Sequence, residues 1–311
     1  MDIRQLRYLI ALAREKHFTR AAEACFVTQP TLSGRVRQLE DELGVQIVLR
    51  GQRYHGLTPE GERVLRWARR ILEDFDGMRQ DLAMLSDAPE GRMTLGVIPS
   101  AMPCVPTLTQ ALRDRYPSVG FEILSRTSRQ IAQELGEFTI DAGITYLDNE
   151  PVEAGATWPL YREQFRLFLR ADHPLADRAR ITWAEAARHA LVALTPDMQN
   201  RRIIDAAFEE AGAPPRPMIE SNSVVALLAH ARSGGFACVL PEYFVTLFGG
   251  AAGLRAIPLI EPSAGNVVGL VALARDPQPA LLAALVEAAV DFEATLRRAH
   301  GFPSSAPPMD P

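Results

Sequence analysis

Residues 59–87 constrain the chain more than any other stretch. After Thr58-Pro59, the apolar residues Val64, Ala68, Ile71, Phe75, Met78, Leu82 and Leu85 fall at alternating steps of four and three. That spacing lays one apolar stripe along an α-helix in the heptad pattern of paired helices. Thr58 supplies an N-cap, and Pro59 suits the first helical position, where a missing N–H costs little. Ala88-Pro89-Glu90-Gly91 breaks the helix. The stripe reads as a dimerising seam built from Val64, Ala68, Ile71, Phe75, Met78 and Leu82 on a linker helix over 59–88. A long amphipathic helix packed on its own domain is the alternative. Its place between two parts of a 311-residue chain favours pairing between chains.

The part before the seam, residues 1–58, is expected to be helical with a β-wing. Asp2 and Gln5 form a capping-box pattern ahead of Ile3, Leu6, Leu9, Ile10 and Ala13. Thr19 is expected to cap a second short helix with Phe18, Ala21, Ala22 and Cys25 inward. Thr28 then caps a third helix with Pro30 in its first turn. Leu32, Val36, Leu39 and Leu43 form its buried stripe, and Gly44 ends it. Val45 to Leu57 reads as two short strands around Arg50-Gly51-Gln52-Arg53.

The part after it alternates short apolar runs with helical patterns, as α/β domains with mostly parallel sheets do. Strands are predicted at 93–98, 119–125, 140–145, 164–169, 190–194, 217–221, 236–240 and 266–274, and a last amphipathic helix at 278–299. Residues 301–311 read as a flexible tail.

Charge narrows the function classes. The chain carries a formal −5, but residues 1–58 hold nine Arg/Lys against six Asp/Glu, a net of +3. A DNA footprint would sit there. Lys16 is the only lysine, which excludes a P-loop and a pyridoxal Schiff base further along. The glycine-rich stretch Gly249-Gly250-Ala251-Ala252-Gly253 reads as a turn. Cys25, Cys104 and Cys238 are an odd, widely spaced set and give no disulfide framework. Buried structural thiols are the reading for Cys104 and Cys238, and the histidines show no metal-ligand spacing. No apolar run is long enough to cross a bilayer and no signal peptide is legible, so a cytoplasmic chain is expected. An enzyme on the α/β part would need a nucleophile with a partnered base, and no Gly-x-Ser-x-Gly or metal motif is present. A solute-binding transport component would need export.

Linked motifs in the first fifth resemble the winged helix-turn-helix of LysR-type transcription regulators. They are Leu6-Arg7-Tyr8-Leu9, Phe18-Thr19-Arg20-Ala21-Ala22, Thr28-Gln29-Pro30-Thr31-Leu32-Ser33, Leu39-Glu40-Asp41-Glu42-Leu43-Gly44 and Leu57-Thr58-Pro59-Glu60-Gly61. Gly96-Val97-Ile98-Pro99-Ser100, Asp141-Ala142-Gly143-Ile144 and Val239-Leu240-Pro241 are similar to the family's effector domain in layout. The resemblance implies a DNA-binding regulator and not an enzyme, with no cofactor, that assembles as a homodimer or homotetramer. It also implies a two-lobed effector-binding domain over 91–300, like periplasmic binding proteins. Lobe 1 would take 91–162 and 267–300, and lobe 2 163–266.

Site residues follow from this layout. With Leu32, Val36 and Leu39 inward, the recognition helix presents Gln29, Pro30, Thr31, Ser33, Gly34 and Arg37, supported by Arg50 and Arg53 on the wing. The Gln29 amide matches adenine, and Arg37 matches guanine or phosphate. Thr31 and Ser33 suit phosphate oxygens or a thymine methyl. Gly34 stands where the family often has a long polar residue and permits close approach to DNA. Ligands of such α/β domains sit at strand C-terminal ends between lobes. The effector residues expected there are Ser100, Ala101, Met102, Thr127, Ser128, Tyr146, Thr195, Met198, Gln199 and Ser221. Because helix N-termini favour negative charge, the effector is expected to be a small carboxylate or other anion.

Overall fold

The structure, a computed structural model, describes residues 1–49, 54–84, 91–148, 155–248, 253–290 and 292. The chain forms two compact units that part near residue 90, with 136–139 grouped with the first. In the first unit lie α1 (Ile3–Glu15), α2 (Phe18–Ala24), α3 (Gln29–Leu43) and α4 (Pro59–Met84). The capping box of α1 is complete: the Asp2 carboxylate accepts the Gln5 N–H at 2.9 Å, and Gln5 Oε1 accepts the Asp2 N–H at 2.6 Å. Thr28 caps α3 by accepting the Thr31 N–H, and Gly44 ends it at φ +68°. Thr19 is not a cap. Helix α2 starts two residues earlier than that cap would set it, with His17 at the N-cap and no side-chain bond there.

Leu9, Leu12, Leu32 and Leu39 are fully buried at the centre of this unit, joined by Leu65, Ala68 and Leu72 from α4. Truncating any one of the four leucines to alanine would cost roughly 2–5 kcal/mol. Leu43, expected in the same stripe, is 41% exposed at the last turn of α3. Among the described residues, the wing shows a Val48–Leu57 bridge and a Leu49 N–H bond to the Gly56 carbonyl. Its tip, Arg50 to Arg53, lies outside the described residues.

The second unit contains two sheets. Its elements are β1 (Gly91–Val97), a 3-10 turn Pro99–Cys104, α5 (Val105–Arg115), β2 (Val119–Ser125), α6 (Ser128–Gly136), β3 (Ala142–Tyr146), β4 (Gly155–Arg162) and β5 (Phe165–Arg170). There follow β6 (Ile181–Thr182), α7 (Trp183–Ala186), β7 (Leu191–Leu194), α8 (Gln199–Glu210), β8 (Ile219–Ser221), α9 (Val224–Ser233) and β9 (Ala237–Pro241). The last are α10 (Phe244–Phe248), β10 (Leu254–Ile260), β11 (Val267–Leu273) and α11 (Ala280–Val290). One sheet runs β2-β1-β3-β11-β4 and the other β6-β10-β5-β9-β7-β8. The domain is thus the two-lobed α/β type.

The sheets are mixed rather than mostly parallel. Strands that carry the chain between the sheets pair antiparallel: β11 with β3 and β4, and β5 with β9 and β10. The two crossings run side by side, and the Glu163 N–H donates to the Asn266 carbonyl at 2.8 Å. Gly265 has no room for a side chain here, since a Cβ would lie 2.6 Å from the Glu163 carbonyl oxygen. Strands β4 and β10 escape the sequence reading because each holds a proline, Pro159 and Pro258. Strand β4 is an edge strand, where a missing N–H is tolerated.

Candidate functional site

Two surfaces can be built from the residues upward. On α3, the inward face of Leu32, Val36 and Leu39 is at most 2% exposed. The opposite face is open: Gln29, Pro30, Thr31, Gly34 and Arg37 are exposed and Ser33 is half-buried. Neighbouring Arg35 and Gln38 are engaged locally, Arg35 with Gln38 and Asp2, and Gln38 with Glu42. Gln29, Ser33 and Arg37 instead line a groove whose other wall holds Gln46, Val48 and Leu49 at the base of the wing.

That wall is held by Glu40, to which the sequence reading gave no role, and by Thr58, expected there as the cap of the next helix. Glu40 Oε1 accepts the Ile47 N–H at 2.7 Å and the Val48 N–H at 2.9 Å, tying the wing base to α3. Thr58 donates to the Gln46 carbonyl at 2.5 Å and caps α4 by accepting the Gly61 N–H at 2.9 Å. Gly61 is obligatory, because a Cβ would come within 2.1 Å of the Ile47 carbonyl oxygen.

The proposed seam on α4 divides between two faces. Ala68 is 1% exposed in the core of its own unit, and Val64 and Ile71 pack partly against that core. Ala68 therefore cannot serve a partner chain. Phe75 is half-buried, whereas Met78 is 52% and Leu82 62% exposed. Trp67, absent from the sequence reading, is 61% exposed with the Arg70 guanidinium 5.6 Å from its ring centroid. At 100° per residue, Val64, Trp67, Ile71, Met78 and Leu82 share an arc that adjoins the arc of Leu65, Ala68 and Leu72, its centre roughly a quarter-turn away. A period of 3.5 alone could not separate these two overlapping stripes.

The second surface lies between the two sheets, where β3, α6, the crossing at Glu163 and the start of α8 converge. Ser100 is fully buried and its hydroxyl lies 3.1 Å from that of Tyr146. Tyr146 donates to Glu163 Oε2 and accepts from Asn200 Nδ2 at 2.7 Å. The Ser128 hydroxyl donates to Gln199 Oε1. Side chains of the first sheet's half (Ser128 and Tyr146) thus bond directly to side chains of the second's (Gln199 and Asn200). Burial pushes the Glu163 carboxyl up to about 8 against the downward pull of the Tyr146 bond, so it is largely neutral at pH 7. Burial, and then the charge of Glu163, hold the Tyr146 phenol well above its ordinary range.

Not every expected residue keeps a free polar group. Thr127 is a cap: its hydroxyl accepts the Gln130 N–H, and its own N–H goes to Gln130 Oε1. The Ser221 hydroxyl accepts the Ser223 N–H. The Ala101 N–H goes to the Ile98 carbonyl and the Met198 N–H to that of Thr195. Two of the N–H groups at these helix starts, those of Ala101 and Met198, are thus bonded to backbone carbonyls. Met102 is half-buried after Ala101. By contrast Thr195 Oγ1, Gln199 Nε2, Glu163 Oε1 and Asn200 Oδ1 are buried without a partner. Glu163 and Asn200 were missed as site residues. The clue was the position of Glu163 on the crossing itself.

Among the described residues, no group of three or more His, Cys, Asp or Glu is placed to hold a metal ion. No helix there is long and apolar enough to cross a membrane.

Comparison with known proteins agrees with this layout. A family model described as "Bacterial regulatory helix-turn-helix protein, lysR family" matches residues 3–62, and one described as "LysR substrate binding domain" matches 86–293. The DNA-binding transcriptional dual regulator OxyR of Escherichia coli is 31% identical over 272 residues, which is 87% of this chain and 89% of that protein. A full-length variant of OxyR from Pseudomonas aeruginosa superposes with a TM-score of 0.75 at 29% identity, covering 93% of this chain and 94% of the other. Full-length CbnR in complex with its target DNA shares the fold, with a TM-score of 0.67 at 21% identity over 93% of this chain and 99% of the other. The chain belongs to the LysR family of bacterial transcription regulators, proteins that bind DNA operators and small-molecule effectors, oligomerise, and are not enzymes.

Proposed function

We propose that α3 reads operator bases through Gln29, Pro30, Thr31, Ser33, Gly34 and Arg37, with Arg50 and Arg53 of the wing on the backbone or minor groove. The observation that carries this is the clean division of α3 into a buried apolar face and an exposed polar one beside the groove. A dimer sets two such helices on half-sites of a partly palindromic operator. Binding of the full-length protein to its upstream DNA tests it: Gln29→Ala should relax preference at one base position. Arg37→Ala should weaken binding and flatten its salt dependence if Arg37 meets phosphate. Unchanged binding in both variants would refute the assignment.

Pairing through α4 supports the dimer. Its exposed apolar residues run beside Arg63, Arg66 and Arg70 in the first half and beside Glu73, Asp74 and Asp81 in the second. Two copies laid antiparallel set unlike charges against each other. A homotetramer in the cytoplasm follows from the family, with further contacts made by the effector domains.

The effector is assigned to the cleft between the two sheets, with Ser100, Ser128, Tyr146, Thr195, Met198 and Gln199 as its lining, beside Ala101, Met102, Thr127 and Ser221. A bound ligand would bias the angle between lobes, and only by as much as its affinity differs between the two arrangements. The ligand class expected from the helix N-termini is a small carboxylate or other anion. Cys104 and Cys238 are poorly placed for the peroxide response that the names of several relatives carry. Cys104 and Cys238 are fully buried, burial pushes both thiols up, and neither has a disulfide partner.

A further inference from the structure

Phe26, in the turn between α2 and α3, is 97% exposed, more than any other large apolar side chain among the described residues. Apart from Met1, no other large apolar side chain before Leu43 is exposed. Its neighbours Cys25 and Val27 pack against the core of the unit, so the chain is pinned on both sides and the ring points outward.

A single exposed apolar residue needs no explanation by itself. The backbone of Phe26 does. Its φ is +56°, in the left-handed region. The Phe26 N–H bonds to the Glu23 carbonyl and the Val27 N–H to that of Ala22, both at 3.0 Å. This is a Schellman ending of α2, with Phe26 in the position that glycine ordinarily fills. A residue with a Cβ is disfavoured in that conformation, and a ring left in water gains nothing from folding. Stability thus favours glycine at 26, and strain that the fold does not need points to a contact made outside it.

The residues that follow identify the contact. Thr28, Gln29, Pro30 and Thr31 are exposed and form the N-cap and first turn of α3. A recognition helix meets base edges in the major groove through its N-terminal residues. The ring stands two residues before the N-cap, at that same end. A lone ring among polar groups is too small a patch to hold a protein, whereas the thymine methyl is the apolar mark among the major-groove base edges. Resting on the reading of α3 as the recognition helix, we propose that Phe26 packs against a thymine methyl group in each operator half-site. It thereby adds a specificity position that the polar face of α3 does not supply.

Footprinting of the full-length protein on its upstream DNA defines the half-sites. Each thymine in them is then replaced singly by deoxyuridine, which removes only the methyl group. Wild-type affinity should fall about fourfold at one thymine per half-site, the worth of one buried methyl. Phe26→Gly should bind the unmodified operator roughly tenfold more weakly and lose nothing further to any uracil. In calorimetry of the full-length protein, the same variant should unfold a few degrees higher, because glycine relieves the left-handed backbone. A lower midpoint would make Phe26 a structural residue and overturn the proposal. So would unchanged operator affinity, or uracil losses that persist in Phe26→Gly. If Phe26→Gly binds weakly but no uracil affects the wild type, the ring lies on deoxyribose and the thymine assignment is overturned. Gln29→Ala and Arg37→Ala separate this contact from the reading of α3. If they weaken binding and Phe26→Gly does not, only the role of Phe26 falls. If none of the three does, the assignment of α3 falls and the proposal with it.

Discussion

Glu163→Gln tests the buried network without any ligand. The substitution keeps the side chain's shape and an oxygen to accept the Tyr146 hydroxyl, but removes the titration. The folded carboxyl stands at about 8 against an ordinary 4.5, because burial disfavours its charge. A raised carboxyl means that the folded chain holds a proton the unfolded chain has released. Its contribution to stability is therefore fully present below 4.5 and is lost as pH rises through about 8. Each pH unit inside that window is worth about 1.4 kcal/mol, so the loss across it is on the order of 5 kcal/mol. Unfolding of the two-lobed unit by urea, measured at a series of pH values, gives the difference between variant and wild type. Relative to wild type, Glu163→Gln should become steadily more stable from about pH 5 to about pH 8 and then level off. Stability curves that stay parallel across that window would refute the picture of a neutral, buried acid.

Other outcomes follow from particular contacts. Gly61→Ala drives a Cβ to within 2.1 Å of the Ile47 carbonyl oxygen, and the first unit should lose about 1–3 kcal/mol by thermal unfolding. Leu82→Asp, at an exposed position of α4, should dissociate the dimer in sedimentation while leaving helix content unchanged. A dimer of wild-type strength would show that the pairing face lies elsewhere. Ser128→Ala removes the hydroxyl that bonds Gln199 and should loosen the two lobes, seen as faster amide exchange at the start of α8, with operator affinity of the unliganded protein kept near wild type.

The helices of the first unit were legible because their signals are local. Asp2 and Gln5 cap each other three residues apart, Thr28 and Pro30 start α3, and Gly44 ends it. Each such bond closes over neighbours in the chain, so the residue types alone specify it. The exposed face of α3 follows in the same way from the period of Leu32, Val36 and Leu39.

Wherever the decisive partner was distant in sequence, only the tertiary structure could choose. Whether Ala68 or Trp67 faces a partner depends on where α1 packs, since both lie on an apolar arc of α4. Strands β4 and β10 were hidden by Pro159 and Pro258, whose effect on a strand depends on its place in the sheet. The cleft is the clearest case. Ser100, Tyr146, Glu163 and Asn200 span a hundred residues of chain and meet through two crossings. The sequence names hydroxyls and helix starts that suit a ligand, but not which of them are already bonded within the protein. Thr127 and Ser221 turn their hydroxyls to local backbone, while Glu163 and Asn200 keep unpartnered oxygens in the interior. A buried atom's free valence is a property of its surroundings, and those are assembled only when the lobes come together.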